Sequence, residues 1–178
     1  MLEGKLVNLR PIEKKDLEEM MKWINDQEVT HYLSNFLYPI SQADEEEFLE
    51  RMMRHKDTEK DLVIETKARS YLGQISLRKI DRKNKDAELG IVIGHKDYWD
   101  KGYGTDAIKT LLRYAFGQLN LSKVYLQVFE YNQRGIHCYK KCGFKEEDRL
   151  KKEQFYDGKY YDVILMEVRK EEFEKMDK

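Results

Sequence analysis

Apolar and polar residues alternate in some parts of the chain and recur at helical spacing in others, with turn residues between these parts. The segment KLVNLRPI (residues 5–12) alternates, which predicts a first strand. Four apolar residues then follow at helical spacing: Leu17, Met20, Met21 and Ile24. We therefore expect a strand that leads into an amphipathic helix.

Residues 25–43 show no clear period and are rich in aromatic side chains, so we expect a loop that lines a substrate site here. Ser41 is followed by Asp44 and Glu45, as a helix N-cap is followed by the acidic residues of a first turn. This pattern predicts a second helix that continues through Arg54.

Three runs in the middle of the chain are rich in β-branched and apolar residues. They are DLVIET (61–66), YLGQISLRKI (71–80) and AELGIVIG (87–94). Short polar segments separate them, and strands bounded by such turn residues commonly pair with their neighbours along the chain. The pattern predicts an antiparallel meander of three strands.

The clearest helical pattern lies in residues 105–119, where apolar residues follow the template of one buried helix face. These residues are Ile108, Leu111, Leu112, Ala115, Phe116 and Leu119. The next segment, SKVYLQVF (122–129), is predicted to be a strand. Asn132 can cap a short helix that runs to about Cys142, and Gly143 stands at the usual C-terminal position of such a helix.

The last part of the chain holds two extended runs around Asp157 and Gly158, a residue pair typical of a type I′ hairpin turn. The tail RKEEFEKMDK (169–178) is expected to be a solvated, frayed end. Together the elements predict one mixed α/β domain over residues 1–178, in which a meander supplies a central strand and a hairpin closes the sheet.

Length and charge narrow the possible functions. The 178 residues suit one domain, and 33 basic against 34 acidic side chains leave no net field that would hold nucleic acid or an anionic membrane. The N-terminus has no signal-peptide pattern, and no apolar run is long enough to cross a bilayer. We expect a cytoplasmic protein with no nucleic-acid or membrane partner.

The two cysteines, Cys138 and Cys142, lie four residues apart in a helical pattern. This spacing is more typical of reduced intracellular thiols than of a disulfide framework. His137 could join them as a metal ligand, but a structural zinc site needs a fourth group, and no motif supplies one. We therefore expect neither a disulfide nor a metal site.

Two glycines, Gly102 and Gly104, stand one residue apart at the start of the predicted helix. The third glycine of a dinucleotide fingerprint is missing, and Thr105 does not follow a Gly-Lys pair as it does in a P-loop. The glycines could simply form a tight turn. Alternatively, the helix N–H groups and Lys101 could bind a pyrophosphate, with the glycines allowing close contact.

The chain contains, in order, YWDKGYGTDAIKTLLRYAF (98–116), NLSKVYLQVFEYNQRGIHCYKKCGF (120–144) and YDGKYYDVILM (156–166). Together these motifs resemble the GNAT superfamily of N-acetyltransferases, most closely the branch of ribosomal-protein and spermidine N-acetyltransferases. The similarity runs from LRPIEKKDLEEM (9–20) to about Met166. It implies a three-layer fold whose mixed, mostly antiparallel sheet of about seven strands is splayed at the acetyl-CoA site and flanked by helices.

The resemblance also implies an acetyl-CoA site. In this superfamily the Gly-x-Gly loop binds the pyrophosphate, which here implies Lys101, Gly102, Tyr103, Gly104 and Thr105. The backbone of Ile91, Val92 and Ile93 is implied as the platform for pantetheine and as a source of an oxyanion donor. Asn132 could contact pantetheine, cap its helix, or do both.

Two residues are implied as catalytic. Tyr139 matches the family tyrosine that protonates the coenzyme A thiolate, and an unperturbed phenol keeps its proton near neutral pH. Glu88 matches a position where related enzymes often carry a base that takes the proton of the amine, directly or through water. The alternatives are a packed aromatic for Tyr139 and a structural or solvated carboxylate for Glu88.

The resemblance implies direct transfer of acetyl from acetyl-CoA to a primary amine. The leading acceptors are a polyamine such as spermidine and a protein N-terminal α-amine. Amino-sugar antibiotics are less favoured candidates. Residues of the loop and the hairpin are candidates for acceptor binding: Glu28, Tyr32, Phe36, Glu153 and Tyr156. The acidic run 44–47 either attracts a polycation or is a solvated helix start.

An alternative from another class is a regulatory domain that binds acyl-CoA and transfers nothing. The presence of Tyr139 and Glu88 argues against it. Superfamily members are often dimers or larger, so a homo-oligomer is possible.

Overall fold

The computed structural model describes residues 1–33, 38–54 and 56–178, and these residues form one sheet of eight strands. The strands are β1 (Leu2–Glu3), β2 (Val7–Pro11), β3 (Lys60–Thr66), β4 (Tyr71–Asp81), β5 (Asp86–Ile93), β6 (Lys123–Phe129), β7 (Lys145–Tyr156) and β8 (Lys159–Arg169). Their order across the sheet is β1-β2-β3-β4-β5-β6-β8-β7. The architecture is the predicted mixed α/β one, a mostly antiparallel sheet flanked by helices, with eight strands where about seven were expected.

Six helices accompany the strands in the described ranges. They are α1 (Leu17–Met21), α2 (Gln27–Thr30), α3 (Gln42–Met53), α4 (Tyr103–Gly117), α5 (Gln133–Lys141) and α6 (Lys170–Met176). None of them is both long and apolar enough to cross a membrane. Short 3-10 turns precede α1 at Lys14–Asp16 and follow β5 at Lys96–Tyr98.

The sheet separates two apolar cores. Successive side chains of a strand point to opposite faces, so the neighbours Val63 and Ile64 on β3 belong to different cores. Ile64 joins the larger core under α4, and Val63 joins a smaller core with Met20 of α1 and Leu49 of α3. The helices of the N-terminal part thus cover one face, and α4 covers the other.

The pairing of β5 with β6 is parallel and short. β3 to β5 form the predicted antiparallel meander, and β2 extends it by pairing antiparallel with β3. β6 pairs with β8 along its whole length. In contrast, β5 pairs with β6 only from Asp86 to Glu88, although β5 continues to Ile93. Beyond Glu88 the two strands separate, and the sheet opens between them.

The start of α4 is held in place by a buried carboxylate. Asp106 is buried in the first turn, and its two oxygens accept hydrogen bonds of 2.7 to 3.1 Å from the backbone N–H groups of Lys5, Leu6 and Val7. Gly4 lies so close that a Cβ there would clash with the same carboxylate. Asp106 therefore joins the β1–β2 turn to the helix that begins beside the opening in the sheet.

Several predicted local features are confirmed. Ser41 and Asp44 form a reciprocal capping box at the start of α3, with Asp44 N–H donating to Ser41 Oγ at 3.1 Å. Asp157 and Gly158 both have positive φ, 46° and 77°, as a type I′ turn requires. Asn132 caps α5, because its Oδ1 accepts a hydrogen bond of 2.9 Å from Gly135 N–H.

One prediction from the sequence was wrong. The tail is not frayed, because it forms α6 and buries Phe173 against Phe116 at a ring-centroid distance of 5.6 Å. In the acidic run 44–47, for which two interpretations were left open, three residues are exposed and one is buried. Glu45 is only 3% exposed, no described residue bonds to its Oε1, and burial raises the pKa of its carboxyl to about 7.

Replacing Asp106 by alanine should lower the free energy of unfolding by about 3 kcal/mol, because three backbone donors lose a charged acceptor. Urea unfolding of both proteins measures the difference. Glu47→Ala, on the exposed surface of α3, is the matched control and should change stability by less than about 0.5 kcal/mol. Equal stability of the Asp106 variant and the wild type would contradict this role.

Candidate active site

A cleft of about 360 Å³ lies where β5 and β6 separate, between the starts of α4 and α5. Nine of the residues predicted for the site line it: Tyr32, Ile91, Val92, Ile93, Gly102, Gly104, Thr105, Asn132 and Tyr139. They come from distant parts of the chain, and the opening in the sheet brings them together.

The floor of the cleft is the end of β5. Ile91 to Ile93 pair with β4 on one side, while β6 has already turned away on the other. Trp99 covers the end of this edge, since its indole Nε1 donates a hydrogen bond of 2.7 Å to Ile93 O. A strand edge of this kind can pair with an extended ligand that carries amide groups.

The start of α4 forms a wall suited to an anion. The first hydrogen bond of the helix runs from Asp106 N–H to Gly102 O at 3.0 Å, so the N–H groups before it have no acceptor within the helix. These groups and the helix dipole favour a phosphate. Asp106 itself is engaged with the β1–β2 turn, which keeps its carboxylate bonded away from this wall.

The two glycines of the loop have different structural roles. Gly102 has φ +86°, a left-handed conformation that side chains rarely adopt. Gly104 has ordinary helical backbone, and a Cβ there would meet Cys138 Sγ at 3.7 Å and Ile93 Cγ1 at 3.9 Å, both normal contacts. The fold does not require a glycine at 104. Its missing side chain instead leaves room in the cleft.

Cys138 of α5 contacts the start of α4, because its Sγ lies 3.4 Å from Thr105 Oγ1. Tyr139 lines the cleft with a hydroxyl that bonds to none of the described residues. Burial raises the pKa of Tyr139 well above the ordinary value, so the phenol keeps its proton and can donate it.

The other predicted residues that the structure describes lie outside the lining of the cleft. Glu88 is ion-paired with Lys79 at 2.7 Å, and its catalytic role stays a prediction. Glu28 is paired with Lys96, also at 2.7 Å. Lys101 and Glu153 are exposed, and Tyr103 packs edge-on against Tyr98. Phe36 lies outside the described residues.

Tyr156 belongs to an aromatic group at the end of the cleft. Its ring lies 4.6 Å from that of His31, which stacks on Tyr131 at 4.6 Å, and Tyr131 contacts Tyr161 edge-on at 4.7 Å. Tyr131 also donates a hydrogen bond of 3.1 Å to His31 O. Tyr32 connects this group to the cleft, with its ring 6.4 Å from Tyr131.

Sequence reasoning missed Trp99, Arg134 and Lys141, which also line the cleft. The guanidinium carbon of Arg134 lies 3.4 Å from the ring centroid of Trp99. One signal could have found the two cations, because positions 134, 138 and 141 recur at helical spacing on the face of α5 that carries Cys138. Nothing local in the sequence indicates the contact with Trp99.

Comparisons with known protein families and with individual proteins agree on one kind of enzyme. Residues 7–145 match the family described as the acetyltransferase (GNAT) domain. The chain is 33% identical over 162 residues to a spermidine N(1)-acetyltransferase of Vibrio cholerae, covering 91% of this chain and 92% of the relative. It is 34% identical over 160 residues to the Escherichia coli K12 spermidine N(1)-acetyltransferase, covering 90% and 84%.

A solved structure shows the same fold. The crystal structure of spermidine N-acetyltransferase from Vibrio cholerae in complex with CoA and spermine superposes with a TM-score of 0.86 at 30% identity. The alignment covers 96% of this chain and 99% of that one.

Replacing Gly104 by alanine should have different effects on the stability of the protein and on its affinity for CoA. The helix should be as stable as before or gain up to about 1 kcal/mol, because alanine is the better helix former and its Cβ has room. The affinity for CoA should fall by roughly tenfold or more, because the methyl group occupies space at the anion wall. Thermal unfolding and isothermal titration calorimetry measure the two effects, and unchanged affinity would show that Gly104 does not face the ligand.

Proposed function

The chain belongs to the GNAT family of acetyltransferases, and we propose that its acceptor is a primary amine of a polyamine. It is an acetyl-CoA-dependent N-acetyltransferase, and its relatives include spermidine N-acetyltransferases. The observation that carries the proposal is the aromatic group that borders the cleft. The rings of Tyr32, Tyr131 and Tyr156 suit an alkylammonium chain, since aromatic rings attract cations, and Tyr32 already makes such a contact with Arg134.

The residues of the cleft fit acetyl-CoA. The free edge of β5 would hold the pantetheine amides, and the open N–H groups from Tyr103 to Thr105 would hold the diphosphate. Acetyl-CoA supplies the acetyl group as an activated thioester. Amide formation joins the acceptor nitrogen to the carbonyl carbon while the C–S bond breaks, and the departing sulfur takes up a proton.

Tyr139 is our candidate for the donor of that proton. It lines the cleft, its hydroxyl has no partner among the described residues, and burial keeps it protonated. The acceptor amine must also lose a proton before or during attack. Glu88 remains our candidate base, and its ion pair with Lys79 means that the base would have to act from within that pair or through water.

We also propose a cytoplasmic location. Acetyl-CoA is used inside cells, and Cys138 and Cys142 are free thiols, as is usual in a reducing compartment. A homodimer or larger homo-oligomer is a further proposal drawn from the family resemblance.

The acceptor class can be tested with a thiol-release assay at a fixed acetyl-CoA concentration. We expect kcat/KM for spermidine and spermine to exceed that for N-terminal peptides and aminoglycosides by roughly tenfold or more, because only the polyamines place a flexible cationic chain against the aromatic group. Tyr32→Leu should raise KM for spermidine, and Tyr32→Phe should not. A peptide that reacts faster than every polyamine would overturn the proposed acceptor.

Tyr139→Phe should lower kcat by roughly a hundredfold, because the leaving sulfur loses its proton donor. The dissociation constant of CoA should stay within about twofold of the wild type, since the ring and its packing remain. Steady-state kinetics and calorimetry give the two values. Tyr160→Phe on the exposed hairpin is the matched control, and equal turnover in both variants would remove Tyr139 from the chemistry.

A further inference from the structure

The segment that carries Tyr32 has little regular structure of its own. α2 spans only Gln27–Thr30, and a helix of four residues is not stable without tertiary contacts. Val29 anchors this helix in the smaller core, where its side chain is buried, and Lys96 forms two partly exposed ion pairs at the start of the helix. Both contacts act on α2 itself and come before the residues that follow it.

Tyr131 supplies a contact to the residue directly after α2. Its ring stacks on that of His31, with a centroid distance of 4.6 Å and an angle of 26° between the rings. Its hydroxyl donates a hydrogen bond of 3.1 Å to His31 O. Burial raises the pKa of Tyr131 to about 12, so the hydroxyl keeps its proton at neutral pH and remains a donor. His31 is therefore held through both its side chain and its backbone.

Tyr131 itself stands on a well-fixed part of the backbone, between the end of β6 and the start of α5. Glu130, the residue before it, bonds twice to Asp162 of β8: Glu130 N–H donates to Asp162 O at 3.1 Å, and Asp162 N–H donates to Glu130 Oε1 at 2.7 Å. Asn132, the residue after it, caps α5. Tyr131 is thus tied to the sheet on one side and to the helix that carries Tyr139 on the other.

Tyr32 transmits this contact to the cleft. It follows His31 in the chain, its ring meets the ring of His31 edge-on at 4.8 Å, and it lines the cleft. His31 and Tyr131 lie outside that lining. A ring that its neighbours already hold loses less conformational entropy when it binds a ligand, so a fixed Tyr32 favours binding of a cationic acceptor.

We propose that Tyr131 is a positioning residue for the acceptor amine, because it fixes His31 and, through His31, the ring of Tyr32. Tyr131 lies outside the lining of the cleft, so its effect falls on the binding of the acceptor and not on the chemical step. The inference rests on the proposed function, which supplies a primary amine as the acceptor.

The kinetic test compares Tyr131→Phe and Tyr131→Leu with the wild type, using spermidine and an N-terminal peptide as acceptors. Tyr131→Phe keeps the ring and loses the hydrogen bond to His31, so KM for the better acceptor should rise roughly threefold. Tyr131→Leu loses the stack as well, and KM should rise roughly tenfold or more. In both variants kcat and the KM for acetyl-CoA should stay within about twofold of the wild type, as expected when only acceptor binding is weakened.

Tyr114→Phe is the matched control, because Tyr114 is a half-buried tyrosine of α4 that does not line the cleft. It should leave every kinetic constant within about twofold of the wild type. Unchanged acceptor KM in both Tyr131 variants, or a fall in kcat with KM unchanged, would overturn the positioning role. Thermal unfolding shows that each variant is folded.

The action through Tyr32 has its own readout. Tyr131→Leu should raise the acceptor KM much less in the Tyr32→Leu background than in the wild type, because residues that act through one another are not additive. An equal rise in both backgrounds would show that Tyr131 does not act through Tyr32.

Hydrogen exchange distinguishes this inference from the proposed acceptor. Measured by mass spectrometry with no acceptor present, exchange at residues 27–33 should be faster in Tyr131→Leu than in the wild type, and exchange in α4 should be unchanged, because only the first segment loses its anchor. Unchanged exchange at residues 27–33 would overturn the anchoring, whichever amine the protein acetylates. A wild type that prefers the peptide would overturn the polyamine proposal and leave the exchange result standing.

Discussion

The early separation of β5 from β6 is the constraint on which the rest of the site depends. The strands pair over three residues, from Asp86 to Glu88, and then leave each other. Because each strand is held by its other neighbour, β4 for β5 and β8 for β6, the sheet survives the opening. The same opening leaves the edge of β5 at Ile91 to Ile93 without a neighbouring strand, and the cleft forms there beside α4 and α5.

The start of α4 has to be rigid and open at the same time. Asp106 meets the first need, because its buried carboxylate ties the first turn to the backbone of Lys5 to Val7. It also meets the second, because an acid in the first turn could otherwise compete with a phosphate for the helix N–H groups. Gly104 leaves the approach clear, and Gly102 supplies the left-handed backbone at which the helix begins.

Charged side chains in this protein are balanced by groups close to them. The whole chain is nearly neutral, and many surface cations have an acidic partner, including Lys79 with Glu88 and Lys96 with Glu28. The cleft differs, because Arg134 is held by aromatic rings instead of a carboxylate.

The sequence by itself determined the features that depend on neighbouring residues: the capping box at Ser41, the turn at Asp157 and Gly158, the meander and the apolar face of α4. The resemblance to the family also located part of the cleft lining, including Ile91 to Ile93, Gly102 and Tyr139. Only the tertiary structure decided the pairing of Glu88, the burial of Glu45 and Phe173, and the contact between Arg134 and Trp99. These depend on which distant segments pack together, and no periodicity or turn signal encodes a contact between residues so far apart in the chain.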